Sequence, residues 1–393
     1  MWSRDLWMVG ACYALALVFA GVFARVVMSG DVCTDCGTGA NTFGTLVMSL
    51  LADVVGTCIV FAFSYTSDNS SMYDPYWSLA PIPLVLHWVT LPVAETACTA
   101  RQTLVVTVVL VWGCRLTFNW CRSWRGLTHE DYRYVDKRRQ CGRWYWPVSF
   151  LGLHMMPTLL VFMGCAGCYP ALVTGTAPFN ALDVVATLLA GGAVAIQAIA
   201  DNQLVRFRRG NHGKQEILDT GVWSVCRHPN YLGEMCLWYG LCLYGLASCI
   251  GTDTSVMSLW WTPIGCILIT LLFRFLSLGM KDDRMLSTRP AYRQRMTSVP
   301  AFIPKLSLYK ASPGRTHLLR ARTPTPSEVT LTLPDSVERE AGRGGEMSAS
   351  EVSQGERGDP IEGVSPVPLP LNERESDGES GGEALISGSG LMV

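Results

Sequence analysis

Charged residues are scarce in this chain. Asp, Glu, Lys and Arg together account for 16% of the 393 residues, while hydrophobic residues account for 49%. Soluble globular domains contain about 25% charged residues, so this composition is typical of a protein that crosses a membrane several times. The formal net charge of −1 carries little information, because a basic part of the chain and an acidic tail cancel. Nothing in this balance points to a nucleic acid partner.

Glycine motifs for nucleotide phosphates and cysteine motifs for zinc are both missing. The chain has neither a Rossmann fingerprint nor a P-loop, and Gly37-Thr38-Gly39 follows no predicted strand. The CxxC of Cys33 and Cys36 has no second pair with zinc-ligand spacing, although these two thiols can pair in a disulfide. No metal site is therefore predicted, and any bound nucleotide must be held by membrane helices and the loops between them.

Eight apolar runs have the length of a membrane helix. They cover residues 6–28, 44–64, 76–94, 102–119, 145–168, 180–203, 231–250 and 256–280. Prolines interrupt the third run, so the number of spans is about eight, or seven if this run does not cross. Broken helices are tolerated in a membrane where protein or a cavity supplies hydrogen-bond partners, so we expect the third run to line the site. The predicted fold class is all-α, a polytopic membrane helix bundle.

Lys and Arg are concentrated in alternate loops. They cluster between the fourth and fifth runs, between the sixth and seventh, and after the eighth, whereas the intervening loops (29–43, 169–179 and 251–255) contain none. By the positive-inside rule the basic loops lie in the cytosol, and an eight-span chain has both termini there. The protein is therefore expected to be an integral membrane protein with cytosolic termini.

The composition changes beyond about residue 305. Pro, Gly, Ser and Glu dominate there, and aromatic residues nearly vanish. Such a segment buries too little apolar surface to offset the entropy of ordering it. We therefore predict a membrane domain over residues 1–305 and a disordered, polar, cytosolic tail over residues 306–393 that has no catalytic part.

The string RHPNYLGE, Arg227 to Glu234, is the densest group of polar side chains beside an apolar run. Pro229 suits the first position of a helix, where its missing N–H costs nothing. Arg227 and His228 then lie at the positive end of the helix dipole, a favourable place for a phosphate or carboxylate. Asn230 and Glu234 are four residues apart and share a helix face. Such a group binds a ligand, or else it only anchors the helix at the membrane interface.

The same string resembles the RHPNYxG[ED] motif of membrane-embedded reductases. These comprise the steroid 5-alpha-reductase C-terminal superfamily, its DUF1295 branch and the sterol C14/C24 reductases. Further similar strings occur in the right order, so that the resemblance covers most of residues 45–304; they lie at 73–82, 201–211, 221–234 and 292–304. Isoprenylcysteine carboxyl methyltransferases carry a related RHPxYxG string.

The resemblance implies an enzyme of the endoplasmic reticulum membrane, 3-oxo-5-alpha-steroid 4-dehydrogenase-like, that uses NADPH to reduce a C=C bond in a lipid or sterol-like substrate. The positions that match the family's nucleotide-contacting residues are Gln197, Asp201, Arg208, Asn230 and Glu234. The positions that match the sterol-reductase form of the motif are Arg227, His228 and Tyr231. Helical spacing places the first three of these cofactor residues on one face of the sixth run.

The proton donor is harder to predict. Steroid 5-alpha-reductases carry a QxxxE pattern on an early membrane helix, and the front half of this chain has none, which counts against a 3-keto-4-ene steroid substrate. The catalytic candidates are Tyr76, Asp53 and His87, with Tyr239 as a further one. Side chains of these types inside a membrane domain are more often hydrogen-bonded interior groups than catalysts.

Two other functions remain open at this point. One is an S-adenosylmethionine-dependent methyltransferase acting on a lipid or an isoprenylcysteine-type thiol, since such enzymes carry the related string. They usually have a pair of glutamates before the terminal block, where this chain has Asp282 and Asp283. The other is a non-catalytic lipid-binding membrane protein on the same fold. The ending NYLGE of the motif favours the reductase.

Overall fold

The structure is a computed structural model that describes residues 2–29, 41–210, 212–213, 215–252 and 256–304. Within these ranges every regular element is helical and no strand is present, so the predicted all-α class is confirmed. The pair Cys33 and Cys36 and the predicted tail lie outside the described residues.

The α-helices of the described ranges are α1 (Trp2–Ser29), α2 (Thr42–Thr66), α3 (Tyr76–Leu79), α4 (Pro81–Trp88), α5 (Thr99–Ser123), α6 (Tyr132–Cys141), α7 (Tyr145–Val148), α8 (Met156–Ala166), α9 (Ala181–Arg209), α10 (Pro229–Ala247), α11 (Ile264–Leu271), α12 (Leu278–Thr288) and α13 (Tyr292–Ser298). A wider π-helical turn at Ser149–Met155 joins α7 to α8, and a second at Pro170–Thr174 follows α8. A third at Leu272–Ser277 joins α11 to α12. Such turns change which side chains a helix presents on a face, and they often occur at functional sites.

Six helical stretches of the described ranges are long and apolar enough to cross a membrane. They are Arg4–Val27, Thr42–Thr66, Thr99–Ser123, Tyr132–Thr174, Ala181–Arg209 and Ile264–Thr288. Each coincides with one of the eight runs predicted from the sequence. The prediction of a polytopic membrane helix bundle is therefore confirmed.

The third and seventh predicted runs have no counterpart among these six stretches. In the third run, proline divides the chain into α3, α4 and a 3₁₀ turn at Pro92–Thr96. Pro81 occupies the first turn of α4, where a missing backbone N–H removes no helical hydrogen bond. The seventh run is the 19-residue helix α10, whose length includes the polar side chains of Asn230 and Glu234.

Close approach of α9 and α10 forms the centre of the bundle. A Cβ atom on Gly233 would lie 2.6 Å from Cγ of Gln197, and one on Gly240 would lie 2.8 Å from Cβ of Ala190. Since both distances are shorter than real Cβ contacts, only glycine allows the two helices to pack this closely. The two helices that carry the predicted cofactor residues are therefore direct neighbours.

The end of the bundle opposite the basic loops is closed by a buried ion pair. Nε of Arg101 on α5 lies 2.6 Å from Oδ1 of Asp183 at the start of α9, and both side chains are fully buried. The same guanidinium donates to the carbonyl oxygens of Ala177 and Ala247. These hydrogen bonds offset the free-energy cost of burying the charge of Arg101, and they connect α5, α9 and the end of α10.

Candidate functional site

The RHP string begins α10 as predicted, with Pro229 at the first helical position. The backbone N–H of Arg227 donates to the carbonyl of Pro300 at 2.9 Å, and that of His228 donates to the carbonyl of Ala301 at 3.0 Å. These two hydrogen bonds attach the terminal block of the membrane domain to the motif. Two of the strings that carry the family resemblance therefore meet in the structure.

Asp282 on α12 joins the motif to the rest of the basic end. Its Oδ2 lies 3.1 Å from Nη2 of Arg227, and its Oδ1 lies 3.0 Å from Nε2 of His228. The hydroxyl of Tyr292 donates to Oδ1 at 2.8 Å. Burial lowers the pKa of the His228 imidazole below its usual value, and the neighbouring Asp282 offsets this only in part. His228 is therefore harder to protonate than a free imidazole.

A cavity of about 510 Å³ opens beside this group, between α9, α10, α12 and the loop before α10. Its basic lining residues are Arg208, Arg227, Lys281, Arg284, Arg289 and Arg295. Among the described residues that line it, Glu216 is the only acid. We call it the cationic cavity. So large an excess of positive charge around one space favours an anionic ligand.

Several buried polar atoms of the cationic cavity have no hydrogen-bond partner within the described part of the chain. They are Nε and Nη1 of Arg227, Oδ1 of Asn230 and the hydroxyl of Tyr231. Most buried polar atoms in folded proteins have a partner, and leaving one unmade costs about 1–3 kcal/mol. A ligand with both hydrogen-bond donors and acceptors is of the chemical kind that matches these atoms.

Two of the predicted cofactor residues belong to a separate polar cluster between α5 and α9. Nη1 of Arg115 donates to Oδ2 of Asp201 at 2.6 Å, and Nδ2 of Asn119 donates to the same oxygen at 2.9 Å. Nη2 of Arg115 donates to the side-chain oxygen of Gln197. Arg115 thereby has the acidic partner that an arginine within a membrane span requires.

A third predicted residue, Glu234, is bound by indoles. Its carboxylate accepts hydrogen bonds from Nε1 of Trp112 and from Nε1 of Trp238, each at 3.1 Å. The ring of Trp77 packs against Trp112, with centroids 5.8 Å apart. We call these three tryptophans the indole layer. Glu234 therefore lies behind the cationic cavity, one helical turn beyond Asn230.

The eight predicted cofactor residues thus fall into an outer and an inner group. The outer group, which lines the cationic cavity, comprises Arg208, Arg227, His228, Asn230 and Tyr231. The inner group, which does not line it, comprises Gln197, Asp201 and Glu234. Contact between Gly233 and Gln197 joins the two groups along the α9–α10 seam.

Sequence reasoning did not assign four basic residues of the cationic cavity to the site. These are Lys281, Arg284, Arg289 and Arg295. In the sequence these residues belong to the basic cluster after the last apolar run. The positive-inside rule explains such a cluster without any ligand, so the sequence did not indicate a binding role. Only the folded chain shows that they face the RHP motif.

A second cavity, of about 650 Å³, lies among α1, α2, α3 and α4. It exists because α1 presents small side chains to it, namely Ala16, Ala20, Gly21 and Ala24. Most of the other lining residues are apolar, so we call it the apolar cavity. It shares no described lining residue with the cationic cavity.

All three predicted catalytic residues line the apolar cavity. The hydroxyl of Tyr76 donates to Oδ1 of Asp53 at 2.8 Å, so these two form a buried carboxyl–phenol pair. Nε2 of His87 is buried without a partner in the described part of the chain. The further candidate Tyr239 lies elsewhere: it is 38% exposed and its hydroxyl accepts a hydrogen bond from Thr270.

The apolar spans define an integral membrane protein, and its described helices enclose a cationic cavity and a separate apolar cavity. A search of the described residues for three or more His, Cys, Asp or Glu placed to hold a metal ion finds none. The sequence description of the family called Protein of unknown function (DUF1295) matches residues 60–299. The chain therefore belongs to the DUF1295 family, as the resemblance predicted.

Among curated proteins, an uncharacterized protein of Schizosaccharomyces pombe is similar to this chain. The two are 25% identical over 289 residues, which cover 68% of this chain and 81% of the yeast protein. No solved structure matches the chain.

Proposed function

We propose that this protein is an NADPH-dependent membrane reductase that acts on a C=C bond of a lipid or sterol-like substrate. The observation that carries the proposal is the cationic cavity with its unpartnered polar atoms. NADPH has three phosphate groups, which need cations, and a carboxamide, which needs both donors and acceptors. The cavity offers both kinds of partner within a volume in the usual range of about 300–1,000 Å³ for small-molecule sites.

The outer group contains the residues that would hold NADPH. Arg208 and Arg227 provide guanidinium groups for phosphate oxygens, which they can bind in a bidentate manner. Asn230 and Tyr231 provide the unpartnered amide oxygen and hydroxyl for the uncharged parts of the molecule. S-adenosylmethionine fits less well, because its sulfonium and amino groups are positive and the cavity already has six basic residues against one acid.

The apolar cavity is where a lipid substrate would bind. When bound, NADPH supplies a hydride to one carbon of the alkene, and the other carbon needs a proton from the protein. The hydroxyl of Tyr76, hydrogen-bonded to Asp53, is a proton donor on the wall of the apolar cavity. Because the two cavities share no described lining residue, the proposal requires a rearrangement that brings the two ligands together. We expect it at the indole layer, where Trp77 follows Tyr76 in the chain and packs against Trp112, which binds Glu234.

The first experiment compares ligands of the purified protein. Only a ligand that binds the folded state raises the melting temperature, so NADPH should raise it and S-adenosylmethionine should not. Stabilisation by S-adenosylmethionine alone would support a methyltransferase. Stabilisation by neither would support a lipid-binding protein without a cofactor.

The second experiment tests the reaction on a mixture of lipids, so that no single substrate has to be chosen. The protein is incubated with a membrane lipid extract and NADPH that carries deuterium on its reactive ring carbon. Mass spectrometry should then find a lipid that has gained one deuterium and one hydrogen, and at an NADPH concentration near the wild-type Kd Arg227→Ala should form much less of this product. If NADPH binds but no lipid gains deuterium, the protein is not a reductase of the lipids supplied.

A further inference from the structure

His154 is a buried titratable group that the proposed function leaves without a role. It is fully buried within the π-helical turn Ser149–Met155. Its Nε2 lies 3.0 Å from Oγ of Ser64, and its Nδ1 lies 3.0 Å from the carbonyl oxygen of Ser149 and 3.4 Å from Oγ of the same residue. A histidine inside a membrane bundle is costly to keep unless it pairs with other polar groups or transfers protons.

A run of hydrogen bonds leads from His154 to the basic end of the bundle. Oγ of Ser149 lies 3.0 Å from Oγ of Ser70, which in turn lies 2.6 Å from the hydroxyl of Tyr145. That hydroxyl donates to Oε1 of Glu130 at 3.4 Å. The Glu130 side chain is 12% exposed and is paired with Arg138. This outer run therefore connects a fully buried imidazole with a carboxylate at the surface.

A second run of hydroxyl groups leads toward the apolar cavity. The hydroxyl of Tyr73 lies 2.7 Å from Oγ1 of Thr158, which lies 2.8 Å from Oγ1 of Thr57. The hydroxyls of Thr57 and Tyr76 both donate to the carbonyl oxygen of Asp53, each at 3.0 Å, so they lie side by side. This inner run ends at the carboxyl–phenol pair on the wall of the apolar cavity.

The two runs meet at a contact between rings. The imidazole of His154 and the ring of Tyr73 lie with their centroids 4.9 Å apart. One face of α2 contributes to both sides of this junction. Ser64 lies on the side of His154, whereas Asp53 and Thr57 lie on the side of Tyr73, and all three α2 side chains are buried. A row of polar groups along one helix face, inside a membrane domain, is expensive unless each member is hydrogen-bonded.

We propose that these two runs form a proton-transfer path from the basic end of the bundle at Glu130 to the Asp53–Tyr76 pair in the apolar cavity. This inference rests on the proposed function, because the path is needed only if reduction of an alkene removes one proton from the donor in each turnover. The donor is buried away from bulk water, so the proton must be replaced through the protein.

The transfer balances without any further reactant. A proton from the solvent binds Glu130. Each hydroxyl or imidazole along the path then accepts one proton and releases another, and the last proton released restores the donor. No group changes its oxidation state, and one proton leaves the aqueous side for each one that the substrate receives. Two steps of the path are not already made by a hydrogen bond in the described residues. The junction between His154 and Tyr73 closes by rotation of the two rings, and the hydroxyls of Thr57 and Tyr76 turn from the carbonyl of Asp53 toward each other.

The test is the rate at which buried tyrosine hydroxyls exchange with solvent. With tyrosine labelled at its ζ-carbon, the NMR shift of that carbon in mixed light and heavy water distinguishes a hydroxyl that carries hydrogen from one that carries deuterium. Tyr244 is an internal reference, because it is fully buried, it is hydrogen-bonded to Thr187 at 2.7 Å and it lies outside both runs. The path predicts exchange at Tyr73 and Tyr76 at least about tenfold faster than at Tyr244.

Two substitutions interrupt the path. Ser70→Ala removes a hydroxyl from the outer run, and His154→Phe removes the imidazole but retains a ring. Each should slow exchange at Tyr73 and Tyr76 by about tenfold or more and leave Tyr244 unchanged. Thr187→Val is the control, since it removes a part-buried, hydrogen-bonded hydroxyl outside the path and should leave Tyr73 and Tyr76 unchanged.

Each outcome supports or overturns the path. Exchange at Tyr76 no faster than at Tyr244 overturns it. So does fast exchange that neither Ser70→Ala nor His154→Phe slows, because protons then enter from the apolar cavity. If His154→Phe does not fold, Tyr145→Phe replaces it. No measurement uses NADPH or substrate, so the path can fail while the reductase proposal holds, and the reverse.

Discussion

The two cavities differ in how far their polar groups are already satisfied. In the cationic cavity, Arg227, Asn230 and Tyr231 each have a buried atom without a partner among the described residues. In the apolar cavity, Asp53 and Tyr76 are hydrogen-bonded to each other, and Nε2 of His87 is the one buried polar side-chain atom of the described lining residues without a partner. A site with several unmade hydrogen bonds is suited to a ligand rich in polar atoms, whereas a site whose polar groups mostly pair with each other is suited to a ligand with few.

The cavities also differ in their relation to the family. The DUF1295 match covers residues 60–299, which include every residue that lines the cationic cavity. The lining residues on α1, and Asp53 on α2, precede that match. If the family shares a cofactor while its members differ in substrate, the shared part of the chain should bind the cofactor and the rest should shape the lipid site.

The largest effect should come from Arg227, which lines the cationic cavity and whose guanidinium has two buried nitrogens without a partner in the described part of the chain. Arg227→Ala should weaken NADPH binding about ten- to a hundredfold, because a lost charge-assisted hydrogen bond is worth about 1.5–3 kcal/mol. The measurement is the Kd per folded molecule, by titration of the purified protein. Arg122→Ala is the control, since Arg122 contacts Asn202 at the same end of the bundle but lies outside the cavity.

If Arg227 only anchors α10 at the membrane interface, Arg227→Ala will lower stability and leave the affinity of the surviving folded protein unchanged. Equal affinities in wild type, Arg227→Ala and Arg122→Ala would remove the main support for a cofactor in this cavity. The contrast between the two cavities would then be one of charge alone.

A smaller effect on NADPH affinity is expected at Glu234, in the inner group. Glutamine can accept a hydrogen bond from only one of the two indoles that Glu234 now binds, because its amide nitrogen is a donor. Glu234→Gln should therefore lower the free energy of unfolding by about 1–3 kcal/mol. Affinity should fall less than about tenfold, since the residue does not line the cavity. A greater loss of affinity than with Arg227→Ala would place the ligand deeper, at the α9–α10 seam.

The cationic cavity could be predicted in part because its motif is local. Eight consecutive residues contain the helix start at Pro229 and four of the outer group, so helical geometry alone brings them together. Residues such as Lys281 and Arg295 are distant in sequence, and nothing local indicates that they face the motif. Helical spacing gave the correct face for Gln197 and Asp201 but not their depth, which depends on Arg115 arriving from α5.

The apolar cavity could be predicted only in part: the prolines of the third run indicated that this run lines a site, and it does line the cavity, but they did not indicate which other elements enclose it. A row of small residues such as Ala16 and Ala20 on a membrane helix usually allows another helix to pack closely. Here the neighbouring elements are the short helices α3 and α4, which prolines interrupt, and a space remains. Where a broken helix leaves room depends on the packing of the whole bundle and not on any local pattern.

The pH dependence of stability should distinguish the buried imidazole of the cationic cavity from an ordinary surface histidine. Burial lowers the pKa of His228 below its usual 6.5, while Asp282 opposes the shift. Between the folded and unfolded pKa values the unfolded chain binds more protons, so stability is lost as the pH falls below about 6.5. His228→Gln can keep a hydrogen bond to Asp282 but does not titrate.

The measurement is the melting temperature of wild type and His228→Gln from about pH 7.5 to about pH 5. The melting temperature of the wild type, relative to that of His228→Gln, should fall by a few degrees on acidification. His212→Gln is a control, because His212 is part-exposed and pairs with Glu216 away from the motif. A wild-type advantage that grows on acidification would mean that Asp282 dominates and that His228 is protonated in the folded protein.

The smallest effect on the cofactor should come from filling the apolar cavity. Ala20 lines this cavity, whereas Ala14 lies exposed on another face of α1, so Ala20→Phe and Ala14→Phe form a matched pair. Ala20→Phe should reduce the lipid that copurifies with the protein, as measured by mass spectrometry, because the ring occupies space that a lipid needs. Its Kd for NADPH should stay within about twofold of wild type, and Ala14→Phe should change neither quantity. A fall in NADPH affinity with Ala20→Phe alone would show that one ligand site extends through both cavities, and the division between an anionic and an apolar ligand would then have to be given up.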